Sequence, residues 1–385
     1  MGFEDSWGSD TEQWKEIRLY DSVMFMISRA VNRMIVGMPL CRNEEFLENT
    51  RSFAMAIIGS GLFIGHTPDW LKPIVGRMVT LPNQWYYRKT SKHTIPLIKE
   101  RKANFERKKQ DPSFQWEPPN DFISWSIMLA DAENRQDEGS VDRISRRIMP
   151  IEFAAIHTSA LSITQCLFDL IASDPSRLYL ETIRQEAVVA LSGKKWQWNK
   201  SNLAQCHYAD SALRESMRLN NFMSRNVIRK VLPETGITNP IEGWHAPKGT
   251  YLAFDMHNVQ HDPEVYQDPD DYQAFRFVPA KESKSHESTL SDKNNSNSAE
   301  VTPASTGNTS LATTSEIWFP FSRGRHTCPG RFFIAAEIKV LLAYMTMHYD
   351  IEPLAKRPDN VNIGQAVVPS STATIRVRRR KQPKV

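Results

Sequence analysis

The chain has 385 residues, 40% of them hydrophobic and 24% charged, a globular composition that excludes disordered and collagen-like classes. Forty-eight Lys and Arg against 44 Asp and Glu leave a formal charge of +4, too mild to argue for nucleic acid. The four cysteines, Cys41, Cys166, Cys206 and Cys328, form no C-x-x-C pair, which excludes a disulfide scaffold and the common zinc ribbons and suits a reducing compartment.

The N-terminus, MGFEDSWGSD, is acidic and polar, unlike a signal peptide. Three-to-four apolar spacing predicts helices over 12–38, 43–62, 91–109 and 141–173, and again over 176–192 and 203–220. No uninterrupted apolar stretch is long enough for a spanning helix; the best, Val23 to Met38, is broken by Arg29, Asn32 and Arg33, so a soluble chain is expected. From Val227 the texture changes: Val227-Ile228 and Thr250 to Phe254 read as short strands between Pro- and Gly-bearing turns. Residues 281–315 hold nine Ser, six Thr and four Asn, too little apolar surface to offset ordering entropy, and predict a flexible surface insertion. A helix is expected after Cys328 and a strand from Ser371 to Val377. Arg376, Arg378, Arg379, Arg380, Lys381 and Lys384 read as a solvated basic tail. The expected fold class is mainly α with a smaller β portion.

The most informative stretch is Phe321-Ser-Arg-Gly-Arg-His-Thr-Cys-Pro-Gly330. Pro329 suits a helix start, because its missing N–H would be unpaired there. Cys328 therefore sits at a helix N-terminus, with Arg323, Arg325 and His326 nearby, a setting that favours a thiolate. Gly324 permits a tight turn, and Gly330 permits backbone to approach something flat and large. A buried structural cysteine is the ordinary alternative, and the basic neighbours and glycines argue against it. A nucleophile with His326 as base is a second; residues two apart on a turn rarely reach that geometry, and no third orienting group is evident. The third is an axial thiolate on haem iron, with His326 reaching a propionate. The pattern F-x-x-G-x-[R/H]-x-C-x-G constrains five positions, and a chance match in this length is on the order of 10⁻⁴ at average composition.

On these residues the sequence resembles the cytochrome P-450 superfamily, the haem-thiolate monooxygenases. That family carries a Glu-x-x-Arg pair, here Glu215-Ser-Met-Arg218, whose spacing puts both charges on one helix face. It also carries a later Arg-Phe whose arginine joins the pair, here Arg276-Phe277. The three motifs stand in the family's order. The oxygen-activating helix of the family corresponds to Phe153-Ala-Ala-Ile-His-Thr-Ser159. Thr158 would hold dioxygen or a proton-delivering water, and His157 replaces the usual acid, as in a subset of fungal members. Imidazole can relay protons near neutral pH. The plainer alternatives are a carboxylate partner for His157 and, for Thr158, a hydroxyl bonding back to its own turn.

The resemblance implies a haem cofactor with iron held by Cys328, and Phe321, Gly324, His326 and Gly330 shaping its cradle. It implies Glu215, Arg218 and Arg276 as a structural triad, and Thr158 and His157 as catalytic residues. It further implies O2, an NADPH-dependent flavoprotein reductase docking on a face that includes Arg323, Arg325 and Arg331, and the cytosolic side of the endoplasmic reticulum. An apolar substrate is expected, a terpenoid or other polycyclic fungal secondary metabolite, with Phe222–Ser224, Ala366–Pro369 and Met55–Ile58 as candidate linings. One domain over 1–385 is expected, lacking the family's N-terminal membrane anchor and first helices. That late start keeps a second reading open, a truncated haem-binding relic without activity. A cysteine-nucleophile hydrolase is the third class, and it predicts irreversible alkylation of Cys328.

Overall fold

The computed structural model describes residues 2–191, 198–279 and 310–381. In chain order it runs α1 (Gly2–Trp7), β1 (Lys15–Arg18), α2 (Leu19–Ile35), α3 (Glu44–Gly65), α4 (Lys72–Val79), α5 (Leu81–Gln110), α6 (Phe122–Ala132) and α7 (Val141–Ile171). Then follow α8 (Tyr179–Leu191), α9 (Lys200–Ala204), α10 (His207–Leu219), β2 (Arg225–Lys230), β3 (Ile237–Thr238), β4 (His245–Ala246), β5 (Tyr251–Asp255) and α11 (Met256–Gln260). The last elements are α12 (Arg331–His348), β6 (Tyr349–Ile351), β7 (Val361–Ile363), β8 (Ala366–Val368) and β9 (Thr374–Arg379). The chain is mainly α with a smaller β portion, as its periodicity predicts.

Two compact units divide it, one of Met1–Ser6 with Met24–Thr158 and one of Trp7–Val23 with Ser159–Val385. In the first, α3 packs on α5, and Phe46, Leu47, Ile98, Ile123, Ile144 and Ile148 form buried core. Asn43 caps α3 by accepting from the Phe46 N–H at 2.8 Å, and Asp121 caps α6 at the Ser124 N–H at 3.0 Å. Asp121 is also paired with buried Arg101 at 3.1 Å, and a Cβ on Gly37 would lie 2.6 Å from its Oδ2. Only glycine fits there, at φ +73°.

In the second unit α12 is the central helix. Ile334, Ile338, Leu341, Leu342 and Met345 recur at helical spacing and are buried, each contributing about 1.5–3 kcal/mol. Ala343 and Met347 join Ala187, Leu191 and Leu203 from α8 and α9 in one cluster. Strands β1, β9 and β6 form an antiparallel sheet in that order, with Ile17 opposite Ile375 and Ile351 opposite Val377. The basic stretch is therefore not a solvated tail along Arg376–Arg380. Arg376 pairs with Glu352 at 3.0 Å, and Arg378 and Arg380 with Asp350 at 3.1 and 2.7 Å.

Several other elements differ from the sequence expectation. Lys15–Arg18 is a strand inside the stretch read as helix, because its partner β9 is remote in sequence. Helix α4 has only eight residues and α6 is apolar nearly all round, so neither gives a long helical period to read. Helix α5 starts at Leu81 and keeps Pro96 inside it. Against the expectation that no stretch is long enough, α7 is, among the described residues, a helix long and apolar enough to cross a membrane by length and composition, and most of its apolar window is buried. Of the stretch 281–315, residues up to 309 lie outside the described residues. The rest is packed: Leu311 is buried, its N–H donates to Asp210 at 2.6 Å, and Arg214 donates to the Ser310 and Thr313 carbonyls.

The start of α10 carries a pH-dependent contact. Glu186 of α8 accepts the Tyr208 and Ala209 N–H groups at 2.7 and 3.1 Å, and burial pushes its carboxyl up to about 7. A raised folded-state value favours the neutral acid. The associated stability is complete below the ordinary carboxylate range and is lost as pH rises through about 7, a change of about 3 kcal/mol. Thermal midpoints between pH 4.5 and 8 should fall less steeply in Glu186→Gln than in the parent. Equal slopes would assign the dependence to other groups.

Candidate active site

Cys328 lies on a loop that two left-handed residues turn back on itself, Ser322 at φ +62° and Gly324 at φ +73°. The Cys328 N–H donates to the Phe321 carbonyl at 2.8 Å, and the Arg331 guanidinium donates to the Cys328 carbonyl at 2.9 Å. Neither bond uses the sulfur, a free thiol that is half-buried. Thr327 Oγ1 closes the turn on the Gly324 carbonyl at 2.7 Å. Helix α12 begins two residues further along than the cysteine-proline pair alone suggests, with Gly330 as its cap residue, 3.9 Å from Sγ by the position of an added Cβ. The Phe321 ring is buried edge-on against Trp318 at 6.2 Å between centroids. His326 and Arg325 are exposed, and Arg323 is held by Glu316 at 3.0 Å.

Around α10 the charged triad comes together. Arg218 makes a two-pronged bond to Glu215, Nε to Oε2 at 2.8 Å and Nη2 to Oε1 at 2.9 Å. Arg276, from a segment about sixty residues away, donates from Nε to the same Oε1 at 2.9 Å. Both side chains of the Glu215–Arg218 pair are fully buried. The excess positive charge is spread over backbone carbonyls: Arg218 reaches Gln260 and Pro269, and Arg276 reaches Gln267, Asp268 and Asp271. Such a buried group holds only while every donor has an acceptor.

On α7, Thr158 Oγ1 donates back to the Ala154 carbonyl at 2.7 Å, the local bond expected of a helix threonine. Ala154 is exposed and Ala155 half-exposed, which leaves that stripe of the helix open. His157 Nε2 is buried without a hydrogen-bond partner. Burial, assisted by the Arg51 cation, holds this imidazole below its usual range, so it is neutral at neutral pH. Among the described residues no carboxylate pairs with it, unlike the plainer alternative. Of the candidate linings, Phe222–Ser224 and Ala366 onward meet directly: Met223 bridges Ala366, and the Val367 N–H donates to the Phe222 carbonyl at 3.0 Å. Met55 and Ile58 are exposed on α3.

Sequence reasoning missed two buried groups in the second unit. Asp169 of α7 accepts from Ser216 at 2.5 Å and Asn220 at 2.9 Å, and Arg357 binds it at 2.5 Å. Glu337 of α12 is buried near Ser159, and burial pushes its carboxyl up to about 8. Neither stands in a motif, and burial has no signature in a single sequence.

The geometry can be set beside known proteins. A family model described as Cytochrome P450 matches residues 3–377. The cytochrome P450 monooxygenase polB of Polytolypa hystricis is 32% identical over 381 residues, covering 98% of this chain and 70% of that protein. The cytochrome P450 monooxygenase astC of Aspergillus terreus is 33% identical over 383 residues, covering 98% of this chain and 69% of that protein. Among solved structures, the retinoic acid bound cyanobacterial CYP120A1 superposes with a TM-score of 0.63 at 18% identity, over 98% of this chain and 71% of that one. At that identity the likeness speaks for the fold.

Proposed function

The chain belongs to the cytochrome P450 family of haem-dependent monooxygenases, and from that premise we propose that it inserts one oxygen atom of O2 into an apolar small molecule, with Cys328 as the iron ligand. The observation that carries the reading is the Cys328 loop, where a half-buried free thiol stands on a turn held entirely by other atoms. The donor set fits haem. Among the described residues no cluster of three or more His, Cys, Asp or Glu could hold a metal, whereas an iron that brings its own equatorial nitrogens needs one soft protein ligand. Phe254 near the loop is also largely exposed, apolar surface that a flat macrocycle can cover.

When bound, haem supplies the oxygen chemistry, and thiolate donation favours O–O cleavage. The residues of this chain bind, orient and hand over protons. Phe321 and Gly324 shape the loop, and Gly330 keeps the sulfur accessible. The Glu215, Arg218 and Arg276 group fixes the segments that follow α10. His157, neutral and unpartnered at Nε2, can accept a proton and pass it on, and Thr158 can release its helix carbonyl to hold a water. His326, exposed on the same loop, would pair with a propionate of the cofactor. The substrate class is a terpenoid or other polycyclic secondary metabolite, supported by the His-Thr helix shared with fungal members and by the apolar pairing of Phe222–Ser224 with Ala366–Pro369. Electrons come from an NADPH-dependent flavoprotein reductase, and the working location is the cytosolic side of the endoplasmic reticulum.

The test is the carbon monoxide difference spectrum of the reduced protein, made with haem precursor present. A Soret band at the red-shifted thiolate position is expected. A band only at the shorter-wavelength position would overturn thiolate ligation, and no haem at all would favour the inactive relic. Thr158→Ala should keep that spectrum while the yield of product per NADPH falls. An unchanged yield would remove Thr158 from the proton path.

A further inference from the structure

Strand β2 departs from regular pairing where it passes the cysteine loop. Arg225 and Asn226 face Asp255 and Phe254, and pairing resumes with Arg229 facing Leu252. Three steps on β2 thus match two on β5, so one extra residue is accommodated, a bulge. Within it Val227 adopts φ +54°, a conformation that a β-branched side chain rarely takes and that persists only where the surroundings impose it.

The bulge aims one side chain. Asn226 Oδ1 accepts the Val227 N–H at 2.7 Å, which fixes the amide so that its NH2 faces outward. Nδ2 donates to the Phe319 carbonyl at 3.1 Å and lies 3.5 Å from the Pro320 carbonyl. Phe319 also accepts the N–H of Ser322, the left-handed residue of the cysteine loop, at 2.9 Å. The carbonyl of Phe321, in the same peptide unit as the Ser322 N–H, accepts the Cys328 N–H at 2.8 Å. An unbroken run of bonds therefore leads from the strained bulge through Phe319 and Phe321 to the cysteine backbone. The Phe254 ring, opposite Asn226, meets the Phe319 ring edge-on at 6.4 Å.

We propose that Asn226 is a positioning residue for the Cys328 thiolate, a clamp that the β2 bulge holds in place and that sets where the sulfur stands relative to the haem iron. This rests on the reading of Cys328 as the ligand. Strain at Val227 is the local cost of turning the Asn226 amide onto the loop.

The test uses haem-loaded protein and three variants. Asn226→Asp keeps the bond to the Val227 N–H, loses both donations and sets a carboxylate against two carbonyls; Asn226→Ala removes the clamp and serves if the first does not fold. Val227→Gly relieves the backbone and leaves the clamp. Two hydrogen bonds together correspond to about a tenfold change in an equilibrium. The ratio of the shorter-wavelength to the thiolate carbon monoxide band should therefore rise about tenfold in either Asn226 variant, with a shifted haem reduction potential. Val227→Gly should keep the parent ratio, with a thermal midpoint equal to the parent or higher. If the parent shows no thiolate band, the ligand reading itself falls. If the parent shows it and both Asn226 variants keep its ratio and potential, the clamp is overturned. The clamp is also overturned if Val227→Gly loses the band as the Asn226 variants do.

Discussion

Glu215→Ala lowers stability by about 3–5 kcal/mol and yields protein that does not retain haem. The size follows from what the carboxylate neutralises. Glu215 and Arg218 are fully buried and Arg276 nearly so, with both guanidiniums bonded to the one carboxylate. Removing it leaves two cations facing each other in a medium where charge is poorly screened. It also orphans three guanidinium N–H donations and the Gln273 N–H, 3.3 Å from Oε1. Against a total stability of about 5–15 kcal/mol, such a loss removes a large share of the margin. Glu215→Gln retains shape and one acceptor but not the charge, and should fall between Ala and the parent. Urea midpoints read by far-ultraviolet circular dichroism, with haem content measured alongside, separate the cases. A parent-like midpoint in Glu215→Ala would show that the backbone carbonyls around the two arginines suffice without it.

This group also shows how far the sequence could be read. Glu215 and Arg218 are visible as an i, i+3 pair on one face, but nothing local says that the face is buried. Arg276 is joined to them only through the family resemblance, since a sixty-residue separation leaves no periodic trace. The Cys328 loop is the most legible feature because its constraints are local: a tight left-handed turn favours glycine, here Gly324, and a helix start accepts proline. Strand β1 is hidden in the sequence because its four residues hold one apolar side chain, Ile17, inside an amphipathic stretch, and its partner β9 lies more than 350 residues away. The C-terminal arginines were read as solvated for the same reason, as Asp350 and Glu352 are brought to them only by the β6–β9 pairing. Asn226 was invisible altogether. Its role depends on a one-residue bulge and on the amide orientation, and neither leaves a compositional mark.

Cys328→Ala abolishes the thiolate-type carbon monoxide band and the oxygenation while the protein stays folded. The two halves of that expectation rest on different bonds. The loop is held by the Cys328 N–H, the Cys328 carbonyl, the Thr327 hydroxyl and the Phe321 ring, none of which involves the sulfur. Truncating a half-buried thiol with no structural bond should therefore lower stability by no more than about 1 kcal/mol. The chemistry has no such redundancy, because a methyl group cannot coordinate iron and His326, exposed two residues away on a separate turn, is not positioned to replace the sulfur. Cys328→His sharpens the test. It restores a ligand without restoring a thiolate, so any bound haem should show the shorter-wavelength band and lack the electron donation that favours O–O cleavage. A hydrolase using Cys328 as nucleophile predicts the opposite of the parent behaviour: irreversible alkylation of the thiol and no visible absorption. Well-coupled oxygenation retained by Cys328→Ala would overturn the ligand assignment, and with it the meaning given to the loop, the glycines and the bulge that faces them.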